Sequence, residues 1–130
     1  MVEIEQTEAG QPSVWGDRAL LEDLIFNLVH NSIKASHENG HIWMKAENKI
    51  LYVRDKGIGI AQEHIPHLTE AFFMADHSRG RSEGGSGIGL ALCDKIARFH
   101  RMELRFESRE GQGTSSELHC PDEIYKMFTT

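Results

Sequence analysis

The clearest pattern of apolar and polar positions in this chain lies between Asp17 and Gly40. Asp17 is suited to cap a helix, and the mixture of polar and turn-forming residues at 36–40 is suited to end one. Between them, apolar side chains recur at helical spacing, namely Leu20, Leu21, Leu24, Ile25, Leu28, Val29 and Ile33. The pattern predicts one long amphipathic helix.

A second helix is predicted from residue 87 to His100, with Leu92, Ile96 and Phe99 on one face. Residues 65–73 resemble a short helix. The Gly/Ser-rich segment 74–86 shows no periodicity, and a loop of that length in a compact domain is usually functional or disordered. The last nine residues, 122–130, show no interpretable pattern.

The remaining apolar runs predict strands. Residues 2–13 are expected to form an edge strand followed by a turn at 10–12. Residues 42–45 and 50–53 are expected to form a hairpin around 46–49, and 102–108 and 114–120 a pair joined through 109–113. Strands joined by hairpins and mixed with a few helices predict an α+β sandwich with one layer of sheet and one of helix.

Composition narrows the possible functions. With 130 residues, 39% apolar and 26% charged, residues 1–130 are expected to form a single globular domain. The formal net charge of −6 argues against nucleic acid as a partner. No apolar run approaches the length of a membrane span and the acidic start lacks the features of a signal peptide, so we expect a cytoplasmic protein without membrane contact. The two cysteines, without CxxC spacing, are expected to be reduced thiols.

The polar face of the first predicted helix is not random. Asp23, Asn27, Asn31 and Lys34 follow one another at steps of four, four and three residues, which places them in one stripe. A solvated face is the simpler interpretation. However, asparagine is a poor helix former, its amide oxygen is a suitable ligand for Mg²⁺, and Lys34 could meet a phosphate.

Two glycine-rich loops add candidate ligand contacts. Residues 55–59, Asp-x-Gly-x-Gly, follow a strand and suit a turn at which backbone approaches a ligand. Residues 84–89 contain four glycines directly before a helix, an arrangement that favours anion binding through backbone N–H groups and the helix N-terminus. Neither loop matches the P-loop or the Rossmann fingerprint.

Taken together, five segments resemble the N, G1, F, G2 and G3 boxes of sensor histidine kinases in that family's order and at its intervals. These segments are residues 27–34, 55–60, 72–73, 85–90 and 111–114, and the resemblance covers about residues 13–120. The wider superfamily includes gyrase, a heat-shock chaperone and mismatch-repair ATPases. The resemblance implies a Bergerat-type ATP-binding fold: a two-layer sandwich of a mixed, mainly antiparallel sheet with helices on one face.

The resemblance also implies roles for individual residues. Asn31 would hold Mg²⁺, Asp55 would accept from the adenine amino group, and residues 74–86 would form a lid anchored by Phe72 and Phe73. Contacts to ATP are implied for Asn27, Asn31, Lys34, Asp55, Gly57, Gly59, Ile60, Gly85, Ser86, Gly87, Ile88, Gly89, Leu90 and Thr114. Catalytic roles are implied for Asn27, Lys34, Arg79 and Arg81.

Two departures from the family shape the expected function. Ala35 stands where many histidine kinases have an aromatic residue that stacks on adenine. Asn27 stands where hydrolytic members of the superfamily have a glutamate that activates water, so we expect slow hydrolysis and transfer to a protein side chain instead.

No phosphoacceptor helix is recognised before the domain. We therefore expect a catalytic domain that binds Mg-ATP and transfers the γ-phosphoryl group to a histidine on a dimerisation domain, in cis in a parent protein or in trans. A response regulator is expected downstream, and the isolated domain is expected to be a monomer with little activity of its own. Two alternatives remain: a serine-directed kinase of the anti-sigma type, and a non-catalytic nucleotide-sensing module.

Overall fold

The computed structural model describes residues 2–6, 11–70, 89–122 and 125–128, and of 2–6, 11–13 and 125–128 the backbone alone. In chain order, its elements are β1 (Val2–Gln6), β2 (Gln11–Val14), α1 (Arg18–Ala35), β3 (Ile42–Glu47), β4 (Ile50–Asp55), a 3₁₀ helix (Gln62–His67), α2 (Gly89–Phe99), β5 (Glu103–Arg109), β6 (Gly113–His119) and β7 (Tyr125–Phe128). Within these ranges, no helix combines the length and apolar character that crossing a membrane requires.

Helix α1 begins and ends where the sequence predicts. The Asp17 carboxylate accepts the backbone N–H of Leu20 at 3.0 Å, which satisfies one of the free donors of the first turn. The helix ends at Ala35, and the Ser36 N–H returns to the carbonyls of Ser32 and Ile33. The buried face of α1 consists of Leu21, Leu24, Leu28 and Ser32.

The main sheet has five strands in the order β1-β3-β4-β6-β5. Strand β1 runs parallel to β3, and the other three pairings are antiparallel, so the predicted mixed, mainly antiparallel sheet is confirmed. Helices α1 and α2 pack together, and both also pack on the sheet. A separate two-stranded antiparallel sheet joins β2 to β7.

The core fills the space between the helices and the sheet. Leu24 and Leu28 of α1, Val53 of β4 and Cys93 of α2 are its largest fully buried side chains. Burial of each leucine contributes about 1.5–3 kcal/mol to folding. The α+β two-layer sandwich expected from the strand and helix pattern is therefore the observed fold.

The predictions for the chain ends and the first hairpin need correction. Gln11 and Pro12 are not in a turn but in β2, because β7 in the uninterpreted tail supplies the pairing strand. The hairpin between β3 and β4 turns at Asn48 and Lys49 alone, whose φ angles of 53° and 65° suit a tight two-residue connection. Both strands are consequently longer than predicted.

The helix predictions are also corrected in part. A 3₁₀ helix over Gln62–His67, with Pro66 inside it, replaces the short helix predicted at 65–73, of which residues 71–73 lie outside the described ranges. In α2 the buried residues are Cys93, Ile96 and Ala97, whereas Leu92 and Phe99 are 41% and 72% exposed. The apolar spacing indicated the helix, but contact with α1 and β5 decided which side is buried.

Candidate functional site

The polar stripe of α1 lies beside the start of α2. Asn27, Asn31 and Lys34 are half-buried, and Asp23 is exposed. Asn27 donates an Nδ2–H to the Asp23 carbonyl at 2.8 Å. Its Oδ1 lies so close to Gly89 that a Cβ there would be 3.3 Å away. Asn27 therefore presents its carbonyl oxygen to the first residue of α2.

The N-terminus of α2 carries backbone donors that the helix itself does not satisfy, and with them a partial positive charge. Gly89 and Leu90 form this first turn and are half-buried. The other predicted contacts near this end lie outside the described residues, namely Phe72, Phe73, Arg79, Arg81, Gly85, Ser86, Gly87 and Ile88. Their roles stay predictions.

The other end of α1 holds the loop that follows β4. The Ala35 carbonyl accepts the N–H of Ile58 at 3.0 Å. A Cβ at Gly57 would lie 2.1 Å from the same carbonyl oxygen, so only glycine allows this approach. Ala35 is eight residues after Asn27, a distance of about 12 Å along a helix. The stripe with Asn31 and Lys34 thus connects two separate groups of predicted contacts.

Asp55 anchors the second group. Its side chain is buried, with 6% of the residue exposed, and Oδ1 accepts the Gly57 N–H at 2.8 Å. Asp55 lies directly opposite Thr114 in the pairing of β4 with β6. Side chains that face each other across an antiparallel pair share one face of the sheet. The structure therefore brings Asp55 and Thr114 together, and their roles towards a ligand stay predictions.

Ser108 organises this region, and the sequence analysis missed it. Its hydroxyl accepts the N–H of Ile60 at 2.8 Å, donates to the Gly113 carbonyl at 2.8 Å and contacts Thr114 Oγ1 at 2.7 Å. Since Ser108 has one hydroxyl proton, the proton in the last contact is that of Thr114. In the sequence, Ser108 follows Leu104 and Phe106 at two-residue spacing, so it lies on the same face of β5 as these apolar residues. A polar residue on that face was the signal that could have identified it.

Two backbone segments meet at Gly59. Its φ of +71° favours glycine, and a Cβ there would lie 1.9 Å from the Arg109 carbonyl oxygen. The N–H of Gly111 donates to the Ile58 carbonyl at 2.7 Å. The loop between β5 and β6 is thus bound to the loop after β4, which fixes the position of Ile60 as well.

Burial raises the pKa of the Cys93 thiol to about 12 and that of Cys120 to about 11, so both stay neutral thiols at neutral pH.

Among the described residues, no group of three or more histidine, cysteine, aspartate or glutamate side chains could hold a metal ion. A magnesium ion here would have to rely on few protein oxygens, and the half-buried amide of Asn31 suits that arrangement.

Comparison with known families gives one match over most of the chain. A family model described as "Histidine kinase-, DNA gyrase B-, and HSP90-like ATPase" matches residues 16–124. Among curated proteins, the sensor histidine kinase YkoH of Bacillus subtilis is 40% identical over 91% of this chain. The phosphate regulon sensor protein PhoR of Haemophilus influenzae is 38% identical over 85% of it. The chain spans 26% and 28% of these two relatives, about a quarter of their length.

Solved structures show the same fold. The mycobacterial sensor histidine kinase MprB superposes with a TM-score of 0.74 at 23% identity, covering 98% of this chain and 84% of that one. The full-length ShkA structure in complex with AMPPNP gives 0.73 at 22% identity, covering 99% of this chain and 26% of that one. At these identities the superpositions show the architecture alone.

Proposed function

Because the chain belongs to the family of histidine kinase-, DNA gyrase B- and HSP90-like ATPases, we propose that it binds Mg-ATP and transfers the γ-phosphoryl group to a histidine of a separate domain or chain. The observation that carries the proposal is the placement of Asp55 with Thr114 at one end of the α1 stripe and of Asn27 with Gly89 at the other. This arrangement fits a ligand with a base at one end and phosphates at the other.

At the base end, Asp55 and Thr114 form an acceptor pair. Thr114 donates its hydroxyl proton to Ser108, so the Thr114 oxygen remains available as a hydrogen-bond acceptor. The second carboxylate oxygen of Asp55 is a negatively charged acceptor beside it. An exocyclic amino group carries the two donors that match this pair. We propose that the pair selects adenine, whereas guanine would place a carbonyl oxygen where a donor is required. The close backbone approach at Gly57 and Gly59 would bring the base to this wall.

At the phosphate end, the first turn of α2 carries N–H donors that the helix itself does not pair, and the Oδ1 of Asn27 lies beside Gly89. We propose that Asn31 holds Mg²⁺ together with the phosphates, and that Lys34 adds a cation beside them. The ion would neutralise charge on the phosphate oxygens during transfer. The predicted contacts Gly85, Ser86, Gly87, Ile88 and Leu90 would complete the cradle, and Arg79 and Arg81 would stabilise the charge that develops on the transferred group.

The side chain of Asn27 favours transfer over hydrolysis. Its amide nitrogen is engaged by the Asp23 carbonyl, and an amide has no basic group that could activate a water molecule. The base must therefore come from the acceptor. We accordingly propose a histidine-bearing dimerisation domain as the acceptor and a response regulator further along, in the cytoplasm, where ATP is available. The similarity to sensor histidine kinases supports this choice of acceptor.

Nucleotide binding is tested first. Mg-ATP at about one hundred times its dissociation constant should stabilise the chain by about 2.7 kcal/mol and raise the melting temperature by several degrees. Asn31→Ala should keep the fold and lose the part of this stabilisation that depends on Mg²⁺. The absence of any shift with ATP would contradict the proposal together with both alternatives.

Phosphotransfer is tested with labelled ATP and separately purified histidine-bearing dimerisation domains. Each acceptor is paired with its His→Gln variant as the matched control. The expected product is an acid-labile phosphoprotein that forms only with the histidine-containing acceptor. Acid-stable label would indicate a serine-directed kinase. ATP binding without label on any acceptor would indicate the nucleotide-sensing module.

A further inference from the structure

Strand β5 leaves one edge of the main sheet unpaired by another strand among the described residues. The Ser108 carbonyl accepts an N–H from the Gln62 side chain, so this carbonyl points away from β6. Backbone groups alternate in direction along an antiparallel strand, and Leu104 and Phe106 therefore present theirs to the same open edge. Such an edge is a template for another strand.

There is room for a strand beside this edge. A cavity of about 740 Å³ borders β5 between α2 and the 3₁₀ helix. Its apolar wall includes Ile65, Pro66, Met102, Leu104 and Phe106. An incoming strand would direct every second side chain towards this wall and the others towards the solvent face of the sheet.

The solvent face of β5 carries an alternating series of charges. Glu103, Arg105, Glu107 and Arg109 are all exposed, and in the pairing with β6 they share one face. The signs of the four charges along β5 are −, +, −, +, so in an antiparallel copy the signs run in the opposite order. If the pairing is centred on Phe106, Glu103 lies opposite Arg109 and Arg105 lies opposite Glu107. All four charged residues of each copy then face a residue of opposite charge.

We propose that β5 pairs with β5 of a second copy of this chain, antiparallel and centred on Phe106. The backbone groups of Phe106 would pair with those of Phe106 in the second copy, and Leu104 with Ser108. The charged pairs then fall at the sites without hydrogen bonds, where opposing side chains approach most closely. The Ser108 carbonyl has a second lone pair, so it can accept from the second copy and keep Gln62.

Charge also excludes the neighbouring register. A shift that centres the pairing on Arg105 would oppose Arg105 to itself and Glu103 to Glu107, which places like charges at each site. Within one chain, Glu103 accepts two hydrogen bonds from Arg105 at 2.9 Å, but both side chains are more than half exposed, so this pair holds them weakly. The proposed association departs from the monomer expected from the sequence.

Sedimentation velocity on the full chain, from about 10 μM to about 1 mM, tests the proposal, because a small interface of this kind gives a weak dimer. The unaltered chain should dimerise with rising concentration, and less so at high salt. Arg105→Glu and Glu107→Arg should each be monomeric. An equimolar mixture of the two variants should form heterodimers, because each Glu then opposes an Arg again.

Charge reversals at exposed residues outside β5 serve as controls. Lys95→Glu makes the same charge change as Arg105→Glu, and Glu38→Arg makes the same charge change as Glu107→Arg. Both should dimerise as the unaltered chain does. Hydrogen exchange gives a readout without substitution: the amides of Leu104 and Phe106 should become protected as the concentration rises. A chain that stays monomeric to about 1 mM, or a dimer indifferent to both β5 reversals, or a mixture that fails to pair, would overturn the proposal.

Discussion

The absence of a Cβ at three glycines allows backbone segments of this protein to meet closely. At Gly57, Gly59 and Gly113, an added Cβ would lie about 2 Å from a backbone carbonyl oxygen, at 2.1, 1.9 and 2.1 Å. Backbone cannot swing aside as a flexible side chain can, so these contacts require glycine. They hold the loop after β4 against α1, β5 and the start of β6, which is where the base of ATP is proposed to bind.

Gly57→Ala is expected to destabilise the protein by about 3 kcal/mol, because the methyl group would overlap the Ala35 carbonyl and force α1 away from the loop. Gly111→Ala is the matched control. No atom lies within 4 Å of a Cβ at Gly111, so only its φ of +77° opposes the change, at about 1–2 kcal/mol. Denaturant unfolding of both variants measures the difference. Equal losses would show that the close contact is unimportant.

Asp55→Asn separates nucleotide selection from folding. The asparagine oxygen can still accept the Gly57 N–H, but the second carboxylate oxygen is replaced by an amide NH2 group. Two hydrogen-bond donors, this NH2 group and the amino group of adenine, would then face each other. We expect ATP affinity to fall by about tenfold to a hundredfold, the usual weight of a hydrogen bond to a charged group. Calorimetric titration checks this, with Asp94→Asn as the control on α2. Unchanged affinity in Asp55→Asn would remove Asp55 from the site.

Among the helices, His100 connects the end of α2 to the beginning of α1. Its Nε2 accepts the Asp17 N–H at 2.9 Å, and its Nδ1 donates to the Ile96 carbonyl at 2.9 Å. A Cβ at Gly16 would lie 2.5 Å from the His100 ring, so the chain passes tightly over it. The C-terminal end of α2 is thus held against the start of α1 by His100, and its N-terminal end lies against Asn27. These two contacts determine the position of α2 along α1.

His100→Ala is expected to lower the free energy of unfolding by about 2–4 kcal/mol, because it leaves the Asp17 N–H without its acceptor and opens a cavity beside Gly16. Hydrogen exchange at Asp17 and in the first turn of α1 should accelerate. The exposed His37→Ala serves as the control and should change little. If His100→Ala unfolds like the control, the link between the helices carries no stability.

For the molecule as a whole, burial of the two thiols predicts a weakness at alkaline pH. The pKa of Cys93 is raised by burial from 9.0 to about 12 in the folded state, and that of Cys120 to about 11. Below pH 9 their contribution to stability is complete. Above it the unfolded chain loses protons that the folded chain keeps, so stability falls as pH rises, by about 1.4 kcal/mol per pH unit for each thiol.

Denaturant unfolding between pH 8 and about 11 measures this slope. Cys93→Ala should be less stable than the unaltered protein at pH 8, because the substitution leaves a cavity. Its loss of stability with rising pH should be smaller than that of the unaltered protein by about 1.4 kcal/mol per pH unit. Cys120→Ala should flatten the slope in the same way. A slope that neither substitution changes would mean that the thiols stay accessible to water in the folded protein.

Local signals predicted much of this protein. The cap at Asp17, the leucine spacing of α1 and the alternation of β5 and β6 are properties of adjacent residues, and each element lies close to its predicted place. The stripe of Asn27, Asn31 and Lys34 follows from helical geometry alone. These features could be predicted because 3.6-residue and two-residue periods place side chains on faces without reference to any distant segment.

Contacts between segments far apart in the chain had to come from the tertiary structure. Pairing with β7 turns residues 11–14 into a strand, contact with α1 selects the buried side of α2, and Ser108 gains its role from Ile60 and Gly113. The same holds for the open edge of β5, which exists because no further strand lies beside it among the described residues. A periodic pattern specifies an element and its faces, whereas the partner of each face depends on how the whole chain packs.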